Sequence, residues 1–362
     1  MSKNININIE DIKTKKDGLE VLADLYIYAV LGEKISQEDI QRLKWYGVYP
    51  QEDGLFKIKI PLSLGQLDVK QLKALANISK EYCNNSLVLS NRQKIELINV
   101  NVQNIPVIFN LLHEVSLDTI FEAGHNVRNV ITCPINSSSN PQVAPVSEFV
   151  EKLNKAFIGN KNFSNLPNKL QFAISGWAQG CLATDIAEVN FDAFRNDKNK
   201  LQFSIKVLKK HLGFISPSQI EATAKAIAKI YREYGNRDDI EKNSFADLVN
   251  SLGYMRFFDL LQSMLNFKIK IMPLQVEEEK TRSEPFGITE SIQNGKSYIG
   301  CKVKEKDIGS KKVEVLASLL EKYDVNKIKV TNKGHLIILD APTLHADILV
   351  KELSNLDFNP YV

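Results

Sequence analysis

Residues 67–117 of this chain reappear, in pattern, as residues 308–358. A shift of 241 positions pairs Leu67 with Ile308, Leu72 with Val313, Leu75 with Leu316, Ala76 with Ala317 and Tyr82 with Tyr323, all at helical spacing. The same shift pairs Leu87 with Ile328, Leu89 with Val330, Ser90 with Thr331, Asn91 with Asn332 and Leu97 with Ile338, which alternate as strands do. It closes on Val107 with Ile348, Leu112 with Leu353 and Leu117 with Phe358, along a second amphipathic helix. An internal repeat fixes architecture before any motif is read. Each copy reads strand, helix, strand, turn, strand, helix, and the opening strands, Phe56 to Ile60 and Ile299 to Val303, align after a two-residue gap in the following loop.

Such modules are α+β, with helices on one face of a mainly antiparallel sheet. A chain of 362 residues exceeds what one core usually fills. Between the copies, Val146 to Phe157 and Pro217 to Tyr234 have helical patterning and Leu170 to Ser175 a strand-like run, which predicts a separate middle domain. The charged stretch Val276 to Ser283 reads as the linker into the second copy. The expected division is an N-terminal helical extension over 1–45, the first half-domain over 46–118, the middle domain over 119–275, a linker over 276–284 and the second half-domain over 285–362.

With 44% hydrophobic and 25% charged residues the composition is that of an ordinary globular protein. No apolar run reaches the ~20 residues of a membrane helix, and the first residues show no secretory signal, so the expectation is a cytoplasmic protein without membrane contact. A net charge of +3 gives no argument for nucleic acid. Cys83, Cys133, Cys181 and Cys301 form no short-spaced pair and read as structural thiols, with no metal site among them.

Several stretches carry a family resemblance: RLKWYGVYPQEDGLFKIKIP from Arg42 to Pro61, LVLSNRQKIEL from Leu87 to Leu97, GHNVRNVITCP from Gly124 to Pro134, LPNKLQFAISG from Leu166 to Gly176, and YGNRDDIEKNSFADLVNSLGYMRFFDLL from Tyr234 to Leu261. In this order they resemble the nitrite and sulfite reductases that use sirohaem. The resemblance implies two ferredoxin-reductase-like half-domains related by a pseudo-twofold duplication, around a middle α/β domain of the sirohaem-binding type. It implies sirohaem as cofactor and sulfite or nitrite as substrate, reduced by six electrons.

Sirohaem is fringed with carboxylates and both substrates are anions, so a buried site must supply fixed positive charge. By resemblance Lys57, Arg128 and Lys169 would grip the substrate and assist proton delivery, with Gln171 standing where the family has a second lysine. Arg92 would hold a sirohaem carboxylate, and Lys59, Gln93 and Asn129 would complete the cofactor site. Without the resemblance, Lys57 and Lys59 would read as a solvated strand face, Arg92 and Arg128 as surface charges in turns, and His125 as a solvated loop histidine.

The sequence also departs from the family. Ile240 and Ser244 stand where it has arginines, Asn168 where it has Arg, and Lys329 where the second copy usually has Arg. The family's four-iron four-sulfur cluster is held by two close cysteine pairs in a domain following the second copy. The four cysteines here do not match those pairs, so the cluster would come from a further region or from a cluster-bearing partner subunit, with an electron donor such as ferredoxin. Two readings stay open: part of a sirohaem-dependent reductase, or a non-catalytic relative that binds a tetrapyrrole or another anion or scaffolds a complex.

Overall fold

The computed structural model describes residues 8–136, 143–176, 186–271 and 285–361. The expected linker lies outside the described residues except for its neighbour Pro285, and so does Cys181.

The duplication is visible as a mutual exchange between sheets. The first copy builds a four-stranded antiparallel sheet from Val48–Pro50, Phe56–Pro61, Lys94–Val100 and Leu87–Ser90. The second builds Gly287–Glu290, Lys296–Val303, Leu336–Pro342 and Lys327–Val330. The segment before the first copy's long helix, Gln66–Asp68, pairs with the second sheet, Leu67 opposite Ile328. The matching segment of the second copy returns the contact: the amide of Ile308 donates to Leu87 O at 2.9 Å, and that of Leu89 to Lys306 O at 2.8 Å. Each copy therefore completes the edge of the other, and neither leaves an open strand there.

Helices Val69–Tyr82 and Gly309–Lys322 pack against one another beside these sheets. The first starts cleanly because Asp68 accepts from the Gln71 amide at 2.7 Å while the Gln71 side chain accepts from the Asp68 amide at 3.0 Å. Its buried Leu72, Leu75 and Ala76 are matched by Val313, Leu316 and Ala317 in the second, so the repeated stripe is the core face of both helices. The apolar side chains of both copies and of helices Ile9–Lys15, Leu22–Leu31 and Gln37–Leu43 merge into one continuous core.

The middle region has its own core. Its sheet runs Ile131–Thr132, Phe172–Ser175 and Val189–Arg195 in parallel, then Leu201–Val207 and Lys210–Ile215 antiparallel, with helices Ser147–Phe157, Ile220–Tyr234, Phe245–Leu252 and Tyr254–Ser263 around it. Thr132 is held from both copies at once. Gln93 Oε1 accepts its amide at 3.1 Å, and Asn332 Nδ2 lies 3.5 Å from its carbonyl. The two hairpin turns therefore meet on one residue of the middle sheet.

Candidate functional site

Strand pairing places Tyr49 opposite Lys57, Lys59 opposite Glu96, Val88 opposite Glu96 and Ser90 opposite Lys94. Because directly opposed residues share a face, the first sheet gathers Lys57, Lys59, Lys94 and Glu96 on one side. Lys59 Nζ lies 3.8 Å from the centre of the Tyr49 ring, with Lys57 Nζ 5.9 Å from the same ring. Glu96 is 3.6 Å from Lys57 and accepts from Ser90 Oγ at 2.9 Å. Lys94 pairs with the buried Glu122 at 3.1 Å. Lys59 makes no ion pair among the described residues. Burial, with Lys94 and Lys57 nearby, pushes its ammonium down to about 8, against the pull of Glu96.

The hairpin turn supplies the next cation. Ser90 and Lys94 close a three-residue loop in which Arg92 and Gln93 both take left-handed backbone, at φ 70° and 57°. Side chains rarely adopt this conformation without surrounding constraint. Here the Arg92 amide donates to Asn332 O at 3.0 Å, and Gln93 is tied to Thr132. So held, Arg92 Nη1 donates to Gln171 Oε1 of the middle region. Its guanidinium is pulled down by burial, with Glu122 and Glu188 opposing.

Two middle-region loops complete the cluster. The Arg128 amide donates to Leu170 O at 2.9 Å and the Leu170 amide to Asn126 O at 3.1 Å, so the loops carrying Arg128 and Lys169 lie side by side. Burial pulls the Lys169 ammonium down, and Glu188 opposes it. Glu188 stands at the entry to Val189–Arg195, next to Gln171, whose carbonyl accepts the Val189 amide at 3.2 Å. Its carboxyl is raised by burial despite Arg92 and Lys169, and its Oε2 is buried without a hydrogen-bond partner among the described residues.

The residues named from sequence divide into three groups. Lys57 and Lys59 share the sheet face, while Arg92 bonds Gln171, and Lys169 lies in the field of Glu188, Arg92 and Lys94. Arg128 is held by its own loop, with Nη2 donating to Gly124 O at 2.7 Å and Nη1 to Phe121 O at 3.3 Å and to Asn126 Oδ1, and its guanidinium, pulled down by burial, lies in the field of Glu122, Tyr49, Arg92 and Glu188. Gln93 is fully buried against Thr132. Asn129 donates to Leu62 O at 3.3 Å and lines a separate groove of about 610 Å³ with Ser63, Gln66 and Asn154. Tyr49, Lys94, Glu96, Glu122 and Glu188 belong to the cluster and were not singled out from sequence. Lys94 and Glu96 were legible in the alternation of the KIEL run beside the SNRQ turn. Glu188 has no such signal.

Among the described residues, no three His, Cys, Asp or Glu side chains are gathered as a metal ion requires. Cys83, Cys133 and Cys301 are all buried, and burial pushes the thiols of Cys83 and Cys301 up to about 12. No helix of the described residues is long and apolar enough to cross a membrane.

Comparison with known proteins places this geometry. The nitrite/sulfite reductase ferredoxin-like half domain matches residues 49–115, and the nitrite and sulphite reductase 4Fe-4S domain matches residues 123–269. The chain belongs to the sirohaem nitrite and sulfite reductase family. It is 24% identical to the ferredoxin–nitrite reductase of Synechococcus elongatus over 97% of this chain and 72% of that protein. It is likewise 24% identical to the sulfite reductase [ferredoxin] of Mycobacterium tuberculosis, over 97% of this chain and 68% of that one. The chain spans roughly two thirds of the length of such relatives: 61% of the chloroplastic ferredoxin–nitrite reductase of Arabidopsis thaliana, for example. The structure of the Mycobacterium tuberculosis NirA protein superposes with a TM-score of 0.91 at 23% identity, covering 98% of this chain and 70% of that one. The fold is therefore that of the family, and α+β as the repeat predicts.

Proposed function

We propose that the lysine face of the first sheet, the Arg92 turn and the Lys169 loop form the site at which a sirohaem-dependent reductase takes six electrons from a donor such as ferredoxin to sulfite or nitrite. The observation that carries this reading is Lys59. It is a desolvated ammonium without an ion pair among the described residues, beside two further lysines and sharing the field of Glu122 with Arg92. Keeping such a group charged is costly unless an anion joins it. A cofactor fringed with carboxylates fits this set of donors.

Lys57 and Lys59 offer point charges on a rigid strand, while Arg92 offers a planar fork whose position is already fixed by Gln171. Lys169 brings a further cation, exposed between the buried Pro167 and Leu170, where it can approach a small oxyanion. Each oxygen that leaves the substrate as water needs two protons. Lys59, whose ammonium is pushed down to about 8, can hold and release a proton near neutral pH, and burial raises the Glu188 carboxyl above its ordinary range. Sirohaem, when bound, supplies the redox centre, and electrons would reach it through a cluster-bearing region or partner.

One observation favours the binding-only reading. Arg128 spends its guanidinium on Phe121, Gly124 and Asn126, so a substrate anion would have to compete with its own loop.

A spectroscopic titration of the purified chain with sirohaem tests the site. The parent is expected to bind, Lys59→Met and Arg92→Ala to weaken binding at least tenfold, each losing about one charge-assisted contact. Binding unaffected by both substitutions would remove the assignment. Sirohaem bound without nitrite or sulfite affinity would favour the binding-only reading.

A further inference from the structure

Segment 164–168, which leads into Lys169, has no regular secondary structure, yet four successive carbonyls each receive a side-chain donor. Trp45 Nε1 donates to Ser164 O at 2.7 Å and Arg237 Nη2 to Asn165 O at 3.0 Å. Lys13 Nζ donates to Leu166 O at 2.7 Å. Pro167 O takes both His125 Nδ1 at 2.6 Å and Asn243 Nδ2 at 3.2 Å. Buried carbonyls outside helices and sheets must find partners. Here the partners come from distant parts of the chain.

Two of these donors belong to the N-terminal helical segment and its exit, and a web of further contacts ties them down. Lys13 pairs with Glu10 on the same helix, Ile9–Lys15, and Glu10 accepts from Arg237 Nη1 at 2.7 Å. Asp17, between the first two helices, accepts from Ser164 Oγ at 2.7 Å. Trp45 stacks on His125 with ring centres 5.8 Å apart and planes 10° apart. A carbonyl can only accept, so His125 must carry its proton on Nδ1 to bond Pro167. Burial pushes its ring down to about 3, which keeps it neutral.

Lys13 is the costliest member of this set. It is only 8% exposed, and burial pushes its ammonium down to about 8. A solvent-facing polar residue would avoid that cost, but it would leave the Leu166 carbonyl without its donor. The tie also reaches the neighbouring loop. The Leu166 amide donates to His125 O at 2.8 Å, and the bonds between Arg128 and Leu170 and between Leu170 and Asn126 join the two strips from there on.

We infer that the N-terminal helical segment is a clamp on the two loops of the candidate site, and that Lys13 is a positioning residue acting through Leu166 O on Lys169 and Arg128. This rests on the function proposed above for the anion site. Without the clamp, segment 164–168 would keep the contacts from Arg237, His125 and Asn243 but lose its hold on the helical extension, and Lys169 would sample a wider range of positions. Lys13 itself touches no site residue, so its loss should weaken anion capture while leaving sirohaem bound.

The test uses the full chain loaded with sirohaem, in four forms: parent, Lys13→Met, Lys13→Arg and Trp45→Phe. The last removes the donor to Ser164 O together with part of the indole that stacks on His125, and serves if Lys13→Met does not fold. Amide hydrogen exchange at Leu166, Leu170 and Arg128, together with nitrite affinity followed optically, should report the clamp. Lys13→Met is expected to speed exchange at those three amides about tenfold, the scale of one lost charged hydrogen bond, with Leu97 in the first sheet unchanged as the control. Nitrite affinity should fall several-fold in the same variant, and Lys13→Arg should restore both. Unchanged exchange in Lys13→Met and Trp45→Phe would overturn the clamp. Faster exchange with unchanged nitrite affinity would overturn its link to the site. A parent that binds neither sirohaem nor nitrite would instead remove the proposed function, and the positioning role with it.

Discussion

The two copies share a fold and differ in what their sheets present. The first shows Lys57, Lys59, Lys94 and Glu96 on a half-buried face, with Glu122 acting on both Lys59 and Arg92. On the matching face of the second, Tyr298, Ile337 and Leu339 pack with Cys133 and Ile135 of the middle region into a small apolar core. Where the first copy has Lys57, the second has Gly300, and the backbone of Pro285 lies across it: a β-carbon there would sit 1.5 Å from the Pro285 carbonyl oxygen. The duplication thus supplied two similar faces. One was largely closed by the chain itself around the buried Lys329, and the other retains the lysine-rich lining. The function proposed above rests on the open face and not on the fold, which both copies possess equally.

The closed face should resist being made like the open one. Gly300→Lys would restore the residue type of the first copy at a position already occupied by the Pro285 backbone. The strand would have to part from that segment, and the expected cost is about 4 kcal/mol or more, among the severe substitutions. Denaturant melts of the parent and variant would measure it. A variant within about 1 kcal/mol of the parent would mean the segment over Gly300 is easily displaced and the second face less firmly closed than its packing implies.

How much of this was legible beforehand differs between the copies for the same physical reason. The helix stripe from Leu72 to Ala76 and its repeat from Val313 to Ala317 could be read because both copies bury the same positions. The hairpin cations Lys57, Lys59 and Arg92 could be located by resemblance. The sheet exchange, Leu67 onto Ile328 and Ile308 onto Leu87, was not legible, since hydrophobic periodicity says which side of a strand is buried but not which sheet it joins. The run Val189–Arg195 escaped notice because its burial is nearly continuous and lacks the alternation of a half-exposed strand. Arg128 shows the limit for the site. Its residue type and motif predict a ligand-facing cation, and they do not carry the three acceptors on its own loop that hold the guanidinium in the field of Glu122 and Arg92.

Lys329 sharpens the comparison from the other side, as a buried cation on the closed face. Its Nζ donates to Asn136 O at 3.0 Å, and burial pushes the ammonium down to about 8 from the ordinary lysine value of 10.5. Between those two values the unfolded chain holds the proton while the folded chain has begun to lose it. Stability therefore rises with pH across this window. Relative to Lys329→Met, which has nothing to titrate there, the parent should gain roughly 3 kcal/mol between pH 7 and pH 10.5. Other lysines cancel in the difference. Urea melts at the two pH values check it, and parallel curves for parent and variant would show that the buried ammonium is solvated in the folded state.

The smallest effect is expected where the two copies touch in water. Lys73 on helix Val69–Tyr82 and Glu321 on helix Gly309–Lys322 come within 2.6 Å across the packed helices, and each side chain is about half exposed at 51%. An ion pair this open gains little from Coulomb attraction, costs side-chain freedom to hold, and is screened by salt. The double-mutant cycle of Lys73→Ala and Glu321→Ala should return a coupling of about 0.5 kcal/mol or less, shrinking further in high salt. The copies are held together by the buried stripe from Leu72 to Ala76 and its counterpart, together with the exchanged strand edges. A coupling well above 1 kcal/mol would place more of the join between copies in surface charge than the apolar repeat predicts, and would make the duplication an electrostatic as well as a packing arrangement.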